Sequence, residues 1–144
     1  MRGVRTLLII GCALFCLTAV GVAQRLGGDP KAKLLKNPVA YNAASITAGR
    51  AVYAKNCRHC HGLRGKGDGP LAPKNPKPAD LTDATWEHGS TDGELYAIIL
   101  NGAAPRPSQK ESEMKPMKGT LSPTQIWQVV NFLRSIGPHP PPVK

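Results

Sequence analysis

The sequence of 144 residues predicts a single all-α domain, and two observations support this prediction. Three segments place apolar residues at helical spacing between residues that commonly start and stop helices. No segment alternates apolar and polar residues as a half-exposed strand would. We therefore expect three or more helices packed together.

The first helix is expected to begin at Ser45 or Thr47, which are both good N-cap residues, and to run to about Asn56. Gly49 and Tyr53 follow helical spacing within it. A glycine inside a helix costs about 1 kcal/mol relative to alanine. Gly49 therefore needs a packing reason, and the close approach of another helix would supply one.

Two more helices are expected downstream. One covers 91–102, where Asp92 can cap the N-terminus and Gly102 ends the helix. The last begins with Ser122–Pro123, an N-cap followed by proline at the first helical position, and it ends at Gly137.

The last helix is expected to cross the first one. Its apolar side is formed by Ile126, Trp127, Val130, Phe132 and Leu133. A crossing at Gly49 would bring Tyr53 against Phe132. In the middle helix, the predicted buried face consists of Leu95, Ile98 and Ile99.

One motif carries the chemistry of this chain: Cys57-Arg58-His59-Cys60-His61. The pattern C-x-x-C-H is the attachment signature for c-type haem. Within one helical turn, both thiols and the imidazole of His61 can face the same side. The thiols of Cys57 and Cys60 can then bond to the two vinyl groups of one haem, and His61 can ligate the iron. A second C-x-x-C-H motif is absent from the sequence, so we expect one haem c per chain.

Other interpretations of the two cysteines are weaker. A thioredoxin-like pair would lie beside a βαβ pattern, which this sequence lacks. A structural zinc site would need a second Cys/His pair, and none follows residue 61. A disulfide across two intervening residues would constrain almost nothing.

The segment from His61 to Pro70 carries four glycines, which we attribute to close approach of the backbone to a flat ring. A phosphate-binding loop would need a preceding strand and a following Gly-Lys-Ser/Thr. A histidine ligand also needs its second ring nitrogen held. A backbone carbonyl near Pro70 could accept that proton.

The sixth iron ligand has four candidates: Met114, Met117, His88 and His139. His139 lies in a Pro-rich tail, and His88 precedes a Gly-Ser turn. The two methionines lie in a polar loop just before the last helix. A thioether ligand opposite histidine raises the reduction potential.

The ends of the chain are expected to lie outside the folded unit. A basic head and an apolar run end at Gly21-Val22-Ala23, which has the form of a cleavable secretory signal or of a retained N-terminal anchor. The expected division is a signal or anchor at 1–23, a linker at 24–44, the folded domain at 45–137 and a Pro-rich tail at 138–144. The N-terminal signal or anchor implies export to the periplasm or to the outer face of the cytoplasmic membrane.

The net charge of +10 fits either an anionic partner or a surface that is basic only for solubility. Nucleic acid is a poor candidate because the chain lacks a basic helix and a basic motif interleaved with aromatic residues. An acidic redox protein or an anionic membrane surface fits better. Candidate steering lysines are Lys66, Lys74, Lys77, Lys115 and Lys118.

The stretch from about Ser45 to Gly137 resembles the class I c-type cytochromes, in particular the small bacterial monohaem kind. The residues that carry the resemblance are Gly49, Tyr53, the pentad at 57–61, the loop at 65–70, Met114, Trp127 and Phe132. The family's ligand methionine is typically followed by proline and, at the third position, an aromatic residue. Here Met114 is followed by Lys115-Pro116-Met117, which favours Met114 as the ligand and leaves Met117 as the alternative.

The resemblance implies an electron carrier in a respiratory chain rather than an enzyme, cycling between Fe(II) and Fe(III) with His/Met ligation. It also implies that the Pro70 carbonyl accepts the hydrogen bond from His61 and that the thioether-bearing haem edge is exposed. Two alternatives stay open. One is a tethered cytochrome subunit of a membrane oxidoreductase complex, and the other is a haem enzyme or gas sensor with an open sixth site.

Overall fold

A computed structural model describes residues 29–84, 86, 88–103, 114–138 and 140–141. These residues form one short 3-10 helix and four α-helices: Ala32–Leu34, then α1 (Ala43–Asn56), α2 (Arg58–His61), α3 (Asp92–Asn101) and α4 (Pro123–Ile136). No strand occurs in these ranges, where one isolated bridge joins Lys118 and Leu121. The prediction of an all-α fold is confirmed. The expected signal or anchor segment lies outside the described residues, as does His139.

Helix α1 begins earlier than predicted, at Ala43. The N-cap is Asn42, whose side chain accepts a hydrogen bond from the Ser45 backbone N–H at 2.9 Å. The Ser45 hydroxyl in turn accepts one from the Asn42 backbone N–H at 3.2 Å. Ser45 therefore closes a capping box from inside the first turn, and the prediction of Ser45 or Thr47 as the N-cap was wrong.

Helices α1 and α4 cross at Gly49, as predicted. A Cβ atom at Gly49 would overlap the backbone carbonyl oxygen of Gln128 in α4. One turn further along, the Tyr53 and Phe132 rings lie with centroids 4.9 Å apart and planes tilted by 53°. Four side chains at this crossing are fully buried: Tyr53, Ile126, Val129 and Val130.

Helix α3 is capped by Thr91, one residue before the predicted Asp92. The Thr91 hydroxyl accepts from the Glu94 backbone N–H at 3.3 Å, and the Glu94 carboxylate accepts from the Thr91 backbone N–H at 2.8 Å. Asp92 instead pairs with Arg134 of α4, 2.7 Å from its Nε. The helix ends where predicted, at Gly102, which has φ of +80°. Thr91, rather than the predicted Asp92, caps the helix because Thr91 and Glu94 form a complete capping box.

The remaining helical predictions agree with the structure, with one exception. Ser122 caps α4, Pro123 occupies its first turn and Gly137 follows it. In α3, Leu95 and Ile99 are buried, but Ile98 is only half-buried.

The described part of the segment expected as a linker, residues 29–42, lies against α3 and α4. The Asn37 amide donates to the Trp127 carbonyl at 3.2 Å and to the Asn131 side chain at 2.8 Å. Asn131, which is buried, donates to the carbonyls of Val39 and Ala40 at 3.2 and 3.1 Å. The packed unit therefore includes residues before Ser45.

Candidate haem site

The pentad lies at the junction of α1 and α2. Cys57 ends α1 and caps α2, and its carbonyl accepts from the backbone N–H of Cys60 at 3.2 Å and of His61 at 3.0 Å. These bonds close a single turn around the three predicted site residues. Gly62, with φ of +80°, ends that turn, a conformation that glycine adopts without strain.

Both cysteines are free thiols, half-buried, rather than a disulfide. Cys57 packs against the hydrophobic core. Burial raises the pKa of Cys57 to about 11, and the neighbouring Cys60 adds to the shift. The Cys60 Sγ lies 3.7 Å from the Leu71 carbonyl oxygen. Before haem attachment, Cys57 is therefore a protonated thiol at neutral pH, fixed in position by the core.

The His61 ring contacts a backbone carbonyl. Its Nδ1 lies 3.3 Å from the carbonyl oxygen of Ala79. Burial lowers the pKa of His61, and the Ala79 contact opposes part of that effect. A neutral imidazole that donates from Nδ1 keeps its Nε2 lone pair available for a metal. The expected contact with the Pro70 carbonyl stays a prediction.

The glycine-rich loop folds back onto the pentad. Backbone N–H groups of Gly67, Gly69 and Leu71 donate to the carbonyls of His61, Cys60 and His59, at 2.9, 3.1 and 2.8 Å respectively. A Cβ at Gly69 would overlap the His59 carbonyl oxygen. We expected these glycines to allow approach of a flat ring, but at this position the close neighbour is the pentad's own backbone.

Tyr53 has a second role that sequence reasoning missed. Its hydroxyl donates to the Gly62 carbonyl at 2.7 Å in a buried environment. Burial, followed by the charges of Cys57 and Asp68, raises the pKa of Tyr53, so the hydroxyl remains a donor at all physiological pH. The bond fastens α1 to the end of the haem-attachment turn. The sequence hints at this hydrogen bond only through the choice of tyrosine over phenylalanine, since the hydroxyl is not needed for packing.

The two candidate methionines lie in the segment 114–122, which leads into α4. Both are half-buried and pack against the core. The Met117 backbone N–H donates to the Ile99 carbonyl at 3.0 Å, which fixes this residue against α3. A Cβ at Gly102 would lie 2.7 Å from the Met114 carbonyl oxygen. Both methionines therefore lie on the core side of the fold. His88, another candidate ligand, is half-buried.

The donor set fits a covalently held haem. Two thiols and one neutral imidazole share a turn, and the side chains of Met114 and Met117 pack against another part of the core. Within the described ranges, no group of three or more His, Cys, Asp or Glu side chains is placed to hold a metal ion directly. Two thiols and an imidazole on one turn are the groups that attach a c-type haem and ligate its iron.

The all-α fold and the pentad define a class I c-type cytochrome. Residues 46–137 match the family model of cytochrome c, and the chain belongs to that family. It carries one haem c, covalently bound through Cys57 and Cys60.

Relatives include subunits of larger proteins. The chain is 31% identical over 121 residues to the Cbb3-type cytochrome c oxidase subunit FixP of Bradyrhizobium sp. (strain ORS 278), covering 84% of this chain and 34% of FixP. It is 33% identical over 94 residues to the subunit CcoP of Rhodobacter capsulatus, covering 63% of this chain and 29% of CcoP. The chain thus spans about a third of the length of these relatives.

Among solved structures, cytochrome cL from the marine methylotroph Methylophaga aminisulfidivorans superimposes with a TM-score of 0.51 and 26% identity. The match covers 65% of this chain and 57% of that one. In the part of the chain that the structure describes, no helix is long and apolar enough to cross a membrane. The apolar run at 6–22 lies outside that part.

Proposed function

We propose that this protein is an exported monohaem cytochrome that passes single electrons between redox partners, with His61 and Met114 as axial ligands and Met117 as the alternative to Met114. The observation that carries the proposal is the turn at 57–61, where two free thiols and a neutral histidine share one hydrogen-bonded turn. The haem iron supplies one-electron exchange between Fe(II) and Fe(III).

The chain's own residues supply rigidity at this site. Cys57 is packed in the core, the Tyr53 hydroxyl holds Gly62, and the Ala79 carbonyl orients the His61 ring. Met117 is fixed through its backbone to α3. A ligand set held this firmly moves little when the charge of the iron changes, which favours fast electron transfer over substrate chemistry.

Absorption spectra of the purified holoprotein in both redox states test this proposal. Two protein ligands predict a low-spin spectrum in both states and a weak sulfur-to-iron band in the oxidised state. A high-spin ferric spectrum, together with rapid carbon monoxide binding by the folded ferrous protein, would instead identify a haem enzyme or gas sensor.

A second candidate function is favoured by the relatives. FixP and CcoP are named as subunits of cbb3-type oxidases, so this chain could serve as a tethered cytochrome subunit of a membrane complex. Its apolar run at 6–22 would then be retained as an anchor. Mass spectrometry of the N-terminus distinguishes the two. A mature chain that begins at Gln24 supports the free carrier, and an intact run in a protein that sediments with membranes supports the subunit.

A further inference from the structure

The residues around the 3-10 helix expose leucines and lysines together. We call this surface the basic turn and define it as Lys31, Lys33, Leu34, Leu35 and Lys36. Leu34 is 81% exposed and Leu35 is 47% exposed, and all three lysines are exposed. Only two other large hydrophobic side chains in the described residues are exposed, Leu63 and Leu71, and both follow the haem-attachment turn.

The geometry of the basic turn is fixed by α3. Side chains three residues apart lie above one another in a 3-10 helix. Ala32 is 4% exposed and faces α3, where a Cβ at Gly93 would overlap its carbonyl oxygen. Because Ala32 faces inward, the column formed by Lys31 and Leu34 faces solvent. Leu35 follows Ala32 in the inward column, and its Cβ lies beside Gly93 of α3, which leaves only part of the Leu35 side chain exposed. The exposure of Leu34 therefore follows from the packing of the 3-10 helix against α3.

The charge around the two leucines is positive. Asp29 is the one acidic residue between 29 and 42, against three lysines. Glu94 of the helix packed below is buried, accepts hydrogen bonds from Thr91 and interacts electrostatically with Lys33. Lys31 and Lys33 are both exposed, as is Lys36. Exposed leucines bordered by lysines are the composition of elements that lie at the boundary between lipid headgroups and acyl chains.

We propose that the basic turn docks on the anionic phospholipid surface of a membrane, with Leu34 entering the headgroup boundary, the exposed part of Leu35 beside it, and Lys31, Lys33 and Lys36 paired with phosphates. Charge complementarity selects this occupant. Each lysine near an anionic leaflet contributes about 1 kcal/mol, or roughly fivefold in affinity. The contact would orient the haem domain relative to the membrane.

The position of the basic turn in the chain agrees with this proposal. Eight residues separate Val22, where the apolar run ends, from Lys31. Even fully extended, this connection spans no more than about 30 Å. If the run is retained as an anchor, the basic turn stays within that distance of the bilayer. If the run is cleaved, the same surface would bind reversibly and keep the carrier near the membrane.

Lysine footprinting on the holoprotein tests the proposal for either form of the N-terminus. The holoprotein is added to, or reconstituted in, vesicles of phosphatidylcholine alone or with about 30% phosphatidylglycerol. Trace acetylation read by peptide mass spectrometry then reports each lysine. We expect the reactivity of Lys31, Lys33 and Lys36 to fall at least about fivefold on anionic vesicles, and to recover at high salt. Lys66, Lys74 and Lys77 serve as internal controls.

Matched variants separate docking from general electrostatic attraction. Leu34→Gln/Leu35→Gln should remove most of the protection, whereas Ala51→Gln, at an exposed position of α1 away from the haem site, should leave it intact. An unchanged visible spectrum verifies folding of both variants. Equal reactivity on both vesicle types, protection that survives Leu34→Gln/Leu35→Gln, or protection of Lys66, Lys74 and Lys77 instead would each overturn the proposal. Protection that requires an added membrane protein would also overturn it and assign the surface to a protein partner.

Discussion

At Gly49, a single absent side chain decides how the two longest helices meet. The backbone of α4 lies where a Cβ at this position would be, so the crossing exists only with glycine. The sequence predicted this contact because glycine inside a helix is costly without a packing reason. Tyr53 shows the limit of such reasoning. Its packing was predictable, but its hydrogen bond to Gly62 depends on a loop conformation that spacing does not specify.

Substituting Gly49→Ala should destabilise the protein. The added methyl group would overlap the Gln128 carbonyl and separate α1 from α4. Overpacking of this kind costs about 1–3 kcal/mol, more than the roughly 1 kcal/mol that alanine gains in helix propensity. Denaturant unfolding of the holoprotein measures the difference. Ala51→Ser, at an exposed position of the same helix, is the control, and equal unfolding midpoints for Gly49→Ala and Ala51→Ser would contradict the crossing described.

Replacing the methionines one at a time should identify the sixth ligand. Met114→Ala is expected to abolish the sulfur-to-iron band and to lower the reduction potential, because thioether ligation favours Fe(II). Met117→Ala should keep the band and lose mainly core packing, at less than the ~2–5 kcal/mol expected for a fully buried methionine because Met117 is half-buried. Absorption spectroscopy and redox titration provide the measurements. The opposite pattern would make Met117 the ligand.

At the scale of elements, helix existence was predictable and the exact starts were less so. Both ends of α4 were predicted correctly because its apolar periodicity is bounded directly by cap and stop residues, Ser122–Pro123 and Gly137. The starts of α1 and α3 were misplaced because several residues that can cap a helix lie side by side. The structure selects the one that completes a reciprocal box, Asn42 with Ser45 and Thr91 with Glu94.

The Thr91–Glu94 box should make stability depend on pH. Burial acts to raise the pKa of Glu94, but hydrogen bonds from Thr91 and the charge of Lys33 outweigh it and hold the pKa below its ordinary value of 4.5. The unfolded chain therefore binds the proton first as pH falls. Stability from Glu94 is present above pH 4.5 and is lost as pH falls through the folded-state pKa.

Glu94→Gln keeps the capping geometry and removes this titration. We expect the variant to be about 1 kcal/mol less stable at neutral pH, because the hydrogen bonds lose their charge assistance. It should also lose less stability than the wild type on acidification. Urea unfolding between pH 7 and pH 3 gives the comparison. Parallel pH profiles for the two proteins would show that Glu94 does not contribute in this way.

For the whole molecule, the haem attachment residues were predictable from the motif, whereas the residues that contact them and hold the chain around them were not. C-x-x-C-H specifies the chemistry of its own side chains, so Cys57, Cys60 and His61 follow from spacing. The carbonyl facing His61 Nδ1 belongs to Ala79, 18 residues away, and only the three-dimensional path of the loop brings it there. The attachment of residues 29–42 through Asn37 and Asn131 was equally invisible, since both are polar residues without a periodic signal.

The surface charge of the molecule gives a prediction about partners. Lys66, Lys74, Lys77, Lys115 and Lys118 are all exposed. If they steer acidic redox partners, reversing three of them to glutamate should slow electron exchange with such a partner several-fold at low salt, and less above 0.1 M salt, where charges are screened beyond about 10 Å. Reversing Lys31, Lys33 and Lys36 makes the same change in net charge elsewhere and should have a smaller effect. Equal rates at every ionic strength would reject the steering role.

The most direct test of this account is whether haem is bonded to the cysteine pair of the matured protein. After acid–acetone extraction, we expect the colour to remain with the polypeptide. Mass spectrometry should find one haem added to the peptide that contains Cys57 and Cys60, with neither sulfur open to alkylation. Haem that extracts freely into the acetone, or alkylation of both thiols in a mature preparation, would contradict the account.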